Sequence, residues 1–413
     1  MIGGLGKMNR MLLAGVCAMA LLATGVTAAK AGDDEDLDLK VKWKGAPEFS
    51  SKDGAFKFKV RGRVMVDYTN ADQDYAITGE PDIDATELRR GRLGVEGVVY
   101  HDVKYKFEVD FADNEVDVTD AYLQYKGLPV DVTLGQFKTP NSLEEQTSSR
   151  YITFMERAAI TDAFDLSRQL GAGLSYKKEK WTAAAGIFSG NIGDDASEEG
   201  TTFAARVTAA PILDDRKVVH LGASYRARDN GDYEDLGLYR YRQRAADFHL
   251  TDRFVDTGEI GESDDLWGLE AAVVLGSFSV QGEYMQLTSE VPTDIDLTTD
   301  SPTYSGWYVS ASYFLTGEMR NYDEGEFDRV HVNRPVFEGG PGAWQIAGRY
   351  DTIDLSEGGC EACGEQNTWL IGLNWHLNDY TRLMLNVNQS EIEGGVNDGA
   401  DITGVGLRAQ VDW

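Results

Sequence analysis

The side chains of this 413-residue chain best suited to chemistry are arginines gathered in two runs. Glu87-Leu88-Arg89-Arg90-Gly91-Arg92 is one, and Arg240-Tyr241-Arg242-Gln243-Arg244 is the other. In the second run a spacing of two puts all three guanidinium groups on one side of an extended segment. Guanidinium is a rigid fork of donors that suits phosphate or carboxylate oxygens and stays charged at any working pH. Both runs are therefore candidates for holding small anions.

Other chemistries lack their residues. His101, His220, His249, His331 and His376 each stand singly, without the Ser or Cys motif a hydrolase would need, so no enzyme is expected. Cys360 and Cys363 form one C-x-x-C. A zinc site would need two more ligands, and none of the five histidines lies close by in sequence. In an exported chain a loop disulfide or two idle thiols is expected instead. No cofactor and no metal are expected. The formal charge of −30 argues against nucleic acid as a partner.

The elements that must carry these residues begin after a leader. Lys7 and Arg10 precede the apolar run 11–23, and Ala29-Lys30-Ala31 supplies small residues, which reads as a secretory signal peptide over 1–31. Lipidation of Cys17 is disfavoured, because Val16 stands where a small residue should precede it. Removing the leader takes the formal charge to −33. No other stretch approaches the roughly 20 apolar residues of a membrane helix.

The mature chain alternates with period two. Phe56, Phe58, Val60, Val64, Val66 and Tyr68 share one face of a segment whose other face carries Lys57, Lys59, Arg61, Arg63 and Asp67. Val103, Tyr105, Phe107, Val109 and Phe111 oppose Lys104, Lys106, Glu108 and Asp110 in the same way. One face suits lipid and the other water. Sixteen strands are expected, at 55–69, 87–99, 103–111, 117–126, 130–138, 171–177, 180–189, 201–210, 218–226, 266–275, 278–288, 305–315, 342–352, 366–377, 381–390 and 402–413. Their even number, the aromatics near their ends and the alternation of short and long connections predict an all-β, sixteen-stranded antiparallel transmembrane barrel over 55–413, after an N-terminal periplasmic segment over 32–54. Two connections break the rule: 316–341 is long where a short turn is due, and 112–116 is short where a loop is due. A barrel of this size leaves an aqueous lumen.

Glu87-Leu88-Arg89-Arg90-Gly91-Arg92-Leu93-Gly94, Tyr105-Lys106-Phe107-Glu108-Val109-Asp110-Phe111, Thr119-Asp120-Ala121-Tyr122-Leu123, Gly135-Gln136-Phe137-Lys138 and Met155-Glu156-Arg157 resemble the phosphate-selective porin O and P family. The resemblance continues through Trp267-Gly268-Leu269-Glu270, Leu315-Thr316-Gly317-Glu318 and Arg349-Tyr350-Asp351, and spans about 55–413. It implies a homotrimer of barrels in the outer membrane of a Gram-negative bacterium, each pore narrowed by loops folded inward. It also implies that Arg63, Arg89 and Arg90 form an anion-binding constriction, that the third outer loop, about 139–170, lines it, and that Arg240, Arg242 and Arg244 form an arginine ladder from the outer mouth. The segment 235–245 is accordingly read as a loop dipping into the pore and not as a strand of the barrel. Two positions depart from the family's phosphate site: Glu145 stands in place of a lysine, and Thr119, with Asp120 adjacent, in place of an acid.

The expected function is diffusion of small anions, phosphate or polyphosphate, with a channel for carboxylates or other small solutes as the alternative. Rings of arginine or lysine select for anions. Acid runs such as Asp229, Asp232, Glu234 and Asp235 fall in loops, where they keep the surface solvated or hold divalent cations that bridge lipopolysaccharide. A catalytic barrel and a purely structural or adhesive barrel are the rivals from other classes, and conductance across a lipid bilayer separates both from a pore.

Overall fold

A chain that alternates apolar and charged residues can meet lipid on one side and water on the other only if every backbone N–H and C=O is bonded to a neighbouring strand. The computed structural model, which describes residues 39–43, 45–112, 115–193, 200–230 and 237–413, meets this condition by closing a sheet on itself. The described residues from Lys40 onward form one compact unit. The expected signal peptide, 1–31, lies outside the described residues.

Among the described residues sixteen strands form the wall: β1 (Lys57–Asp72), β2 (Ile83–Val99), β3 (Val103–Asp110), β4 (Asp117–Tyr125), β5 (Asp131–Lys138), β6 (Arg168–Lys178), β7 (Trp181–Phe188) and β8 (Thr201–Asp214), then β9 (Lys217–Asp229), β10 (Ser263–Leu275), β11 (Phe278–Glu290), β12 (Thr303–Phe314), β13 (Ala343–Asp354), β14 (Glu365–Asn378), β15 (Thr381–Glu393) and β16 (Asp401–Asp412). Each pairs antiparallel with the next, and β16 returns to β1 from Thr403 opposite Asp72 to Asp412 opposite Arg63. No sheet edge is left along the wall. Within the expected N-terminal segment, Pro47–Ser51 pairs with the start of β1 through Phe49 opposite Phe58.

All sixteen expected strands are present. Several run three or four residues further on the long-loop side, with β9 reaching Asp229 and β15 reaching Glu393. Beyond the apolar band both faces meet water, so alternation stops while the hydrogen-bond ladder continues. Along the band the lipid face is open and apolar, as at Leu269, Val309, Ile371 and Leu407, and the alternate residues are buried by what fills the lumen. Aromatic rings tile across neighbouring strands, with Tyr350 packed between Trp307 and Trp369.

Among the described residues three connections enter the lumen. The loop 139–167 crosses to the far wall, where Asn374 donates to the Thr153 carbonyl, Arg382 to that of Ile152 and Gln410 to that of Arg150. Its short helix Leu143–Gln146 is anchored by Glu283, which accepts from the backbone N–H groups of Leu143 and Glu144. In the second connection, a hairpin of Tyr239–Gln243 and Val255–Gly261 stays outside the wall sheet, and the turn after its first strand descends to bond Ser390 and Asn388. Of the segment 235–245, expected to dip into the pore, residues 237–245 are described: Tyr239–Gln243 stays in this ribbon, and the part that descends is the turn Ala245–Asp247 at its end. The third is the long connection on the short-turn side. Its hairpin, Asn321–Asp323 with Glu326–Asp328, folds up into the barrel, so the anomaly of 316–341 is an inward insertion from the opposite end.

The barrel closes at Gly62, which exchanges backbone hydrogen bonds with Trp413 while the indole covers it. A Cβ on Gly62 would meet the indole Cζ2 at 2.3 Å and the Arg92 carbonyl at 2.9 Å. Gly62→Ala is therefore expected to lower stability by about 1–3 kcal/mol, the usual cost of overpacking. Urea unfolding of the barrel in detergent, followed by its shift in gel mobility, measures this.

Candidate functional site

Successive residues on a strand point to opposite faces, so Arg89 and Arg90 could not both face a lumen from a regular β2. A bulge resolves this. Met65 lies opposite Arg90 and Val66 opposite Leu88, leaving Arg89 as the extra residue. Both guanidinium groups thereby turn inward onto Glu156 of the loop 139–167, Arg89 as a fork at 2.8 and 3.0 Å and Arg90 at 3.4 Å. A second bulge lies in β4, where Glu108 pairs with Asp120 and Val109 with Val118. Thr119 and Asp120 are consequently both buried on the lumen side, and the Thr119 hydroxyl donates to the Glu108 carbonyl.

The lumenal wall here alternates charges that the two bulges bring together. Glu108, fully buried, receives Arg63 at 3.2 Å, Arg61 at 3.3 Å and Arg92 at 3.8 Å. Arg63 also donates to Ser149 Oγ at 2.6 Å. Asp120 holds Lys106 at 2.8 Å and Arg168 at 3.2 Å. Glu156 holds Arg408 at 2.7 Å beside Arg89 and Arg90, and Arg408 grips Asp67 with a second fork. Counting also the pairs Arg61–Glu96 and Arg92–Asp110, basic groups outnumber carboxylates along this wall.

Glu145, at the position where a lysine is expected, does not stand free in the pore. It is buried between Lys138 at 3.3 Å and Arg157 at 3.1 Å. Burial alone pushes its carboxyl up, and Arg157 and Lys138 more than reverse this, holding it below the ordinary carboxylate range. Glu156 is held well below that range, because Arg89, Arg90 and Arg408 outweigh its burial.

Three cavities meet here. On the short-turn side lies one of about 470 Å³, lined by Arg61, Arg63, Arg90, Lys106 and Lys138 on the wall and by Glu324 and Glu326 on the inserted hairpin. A middle cavity of about 170 Å³ is lined by Arg89, Arg90, Glu156, Arg244 and His249. On the long-loop side one of about 760 Å³ is lined by Asp165, Arg168, Arg228 and Tyr239. Arg157 lines all three, braced by the carbonyls of Glu144 and Thr147.

Of the residues expected at the site, Arg89, Arg90 and Arg244 therefore share one cavity, and Arg63 and Arg90 share another. Arg240 and Arg242 line none of the three. Arg240 is exposed on the outer ribbon in a forked ion pair with Asp256 at 2.5 and 2.7 Å. Sequence reasoning missed Arg157, Arg168 and Arg408 as members of the cluster. Arg408 was within reach, since it alternates with the apolar face of Val405, Leu407 and Ala409. Arg157 lies in a loop with no periodicity to betray its direction. Cys360 and Cys363 form a disulfide with S–S 1.99 Å in the connection after β13.

A closed sixteen-stranded barrel with inserted loops and a charged lumen is the architecture of an outer-membrane porin, and fold and family alike are those of channels. The chain belongs to the phosphate-selective porin O and P family, which matches residues 58–413. It is 27% identical to Porin O of Pseudomonas aeruginosa over 433 residues, covering 96% of this chain and 97% of that one. It is 33% identical to an uncharacterized protein of Caulobacter vibrioides over 390 residues, covering 91% of this chain and 77% of the other. Among solved structures, an anion-selective porin from Comamonas acidovorans superposes with a TM-score of 0.57 at 13% identity, covering 87% of this chain and all of that one, a likeness of fold alone. The protein resides in the outer membrane.

Proposed function

We propose that this porin passes small anions, phosphate or polyphosphate among them, through a constriction formed by Arg63, Arg89, Arg90 and Arg157. The observation that carries this reading is the excess of guanidinium groups where the three lumenal cavities meet at Arg157. An anion crossing there loses water and gains charged, forked donors in exchange. The family to which the chain belongs, described as phosphate-selective, supports the same reading.

A second reading, a pore for carboxylates, is favoured by one specific feature. The constriction arginines already hold carboxylates, those of Glu108 and Glu156, in forked and shared geometry. A homotrimer fits the low wall at β3, β5 and β7, each eight residues long. Eight residues tilted at about 45° rise about 19 Å, short of an apolar band about 25 Å tall, so a neighbouring copy would cover the deficit.

Single-channel conductance in a planar bilayer, with reversal potential in a salt gradient and phosphate titrated against chloride, tests both readings. Anion selectivity with saturable block by phosphate, lost in Arg89→Ala/Arg90→Ala, is the expected result. Block by a dicarboxylate but not by phosphate would establish the second reading. Cation selectivity would overturn both.

A further inference from the structure

Beside the permeation path, near the short turn after β14, the loop 139–167, the connection 315–342 and the wall strands β13–β16 line a partly open cavity of about 20 Å³. Its size exceeds the roughly 10–15 Å³ that one water-sized particle requires, so a single monatomic species fits. Arg382 and Arg320 line it, and both are buried, at 3% and 5% exposure.

Neither guanidinium has a carboxylate in ion-pair contact among the described residues. Arg382 donates to the Ile152 carbonyl at 2.7 Å and to Gln410 Oε1 at 2.9 Å, both neutral, and its buried Nε has no partner. Arg320 donates to Gln281 Oε1 and stacks over the Phe327 ring at 3.6 Å. Of the acids around the cavity, two are engaged elsewhere and the third points to solvent. Asp412 is taken by Arg329, with Arg150 at 3.8 Å. Asp379 accepts from the Val332 N–H at 2.8 Å and faces His331 at 3.0 Å. Asp328 is exposed. His376 adds a further orphan, its buried Nε2 having no partner in the same lining.

Two buried cations answered only by neutral acceptors are costly, and the cost falls sharply when a counter-charge is supplied. We propose that this cavity holds one chloride-sized anion as a resident counter-ion, bound by Arg382 Nε and His376 Nε2 and neutralising Arg382 and Arg320. Such an ion ties together the three segments that shape the pore: the inward loop through Arg382 and Ile152, the inserted hairpin through Arg320, and the wall. It is independent of which solute the channel carries.

Bromide is the probe. Full-length protein crystallised in sodium bromide is expected to show an anomalous peak in this cavity, between Arg382 and His376, and the peak should vanish in Arg382→Met. In detergent, the melting temperature of the wild type should rise with bromide and saturate at millimolar concentration, with no such saturable rise in Arg382→Met. A cavity holding only density without anomalous signal, meaning water, would overturn the proposal. So would a peak or a melting shift that persists unchanged in the variant, or a melting temperature that rises without saturating, meaning an adventitious ion only. If Arg382→Met does not fold, the wild-type anomalous map and its saturation curve decide the matter between them.

Discussion

Replacing Glu156 with glutamine is expected to tighten anion binding at the constriction about tenfold and to shift the reversal potential further toward the anion limit. Glu156 is the one carboxylate shared by Arg89, Arg90 and Arg408. A unit charge about 4 Å away is worth about 4 kcal/mol at the effective dielectric of a protein surface, and a third of that corresponds to about tenfold in affinity. Glutamine keeps the shape and an acceptor for Arg89 while releasing one positive charge to the permeating ion. Arg408 retains its fork on Asp67, so the wall stays braced.

Acidification should not imitate this variant. The Glu156 carboxyl is held well below the ordinary range by its three arginines. For a group with a depressed folded-state pKa, the stabilising charge is present above the unfolded value and is lost only as pH falls through the folded one. Glu156 therefore stays ionised across the mildly acidic range, and wild-type selectivity should not drift toward that of Glu156→Gln there. An unchanged reversal potential in Glu156→Gln would show that Glu156 stands outside the field the anion feels.

The legible part of the sequence is the part that meets two solvents at once. Trp267, Leu269, Ala271 and Val273 alternate with lumenal residues because lipid and water impose opposite demands every 3.3 Å or so. Every wall strand carries that imprint. The inward pairs Arg89–Arg90 and Thr119–Asp120 do not, because a bulge changes parity without changing composition. Similarity of motif pointed to Arg89 and Arg90, yet only the bulge explains how both face the pore. Glu156 and Arg157 were hidden for a different reason: an inserted loop is surrounded by protein on all sides and has no period to read. Arg240 and Arg242 have the spacing of an extended ladder, but their ribbon stands on the outer side, and Asp256 takes the Arg240 charge. A spacing of two tells which side of a strand a residue shares, not where the strand lies.

The overlong connection on the short-turn side gives the second large effect. Removing Arg320–Arg329 and joining the ends through Gly-Gly is expected to raise single-channel conductance severalfold. This hairpin fills the lumen opposite the basic wall: Phe327 is buried with Leu143, Val218 and Val274, the Gly325 carbonyl accepts from Arg206 at 2.7 Å, and Tyr322 meets His220 at 2.7 Å. These contacts reach wall side chains, but none of them is a strand-to-strand bond of the wall. β12 and β13 pair continuously from Ser305 opposite Asp354 to Phe314 opposite Gln345, so the barrel can close without the hairpin. Removing it also takes Glu324, Glu326 and Asp328 from the basic-walled passage, while Arg63, Arg89, Arg90 and Arg157 stay in place. The wider pore should therefore keep its preference for anions as its conductance rises. Heat-modifiable gel mobility separates a folded, wider barrel from a failure to assemble, and a folded variant with wild-type conductance would mean that the loop 139–167 alone sets the narrowest point.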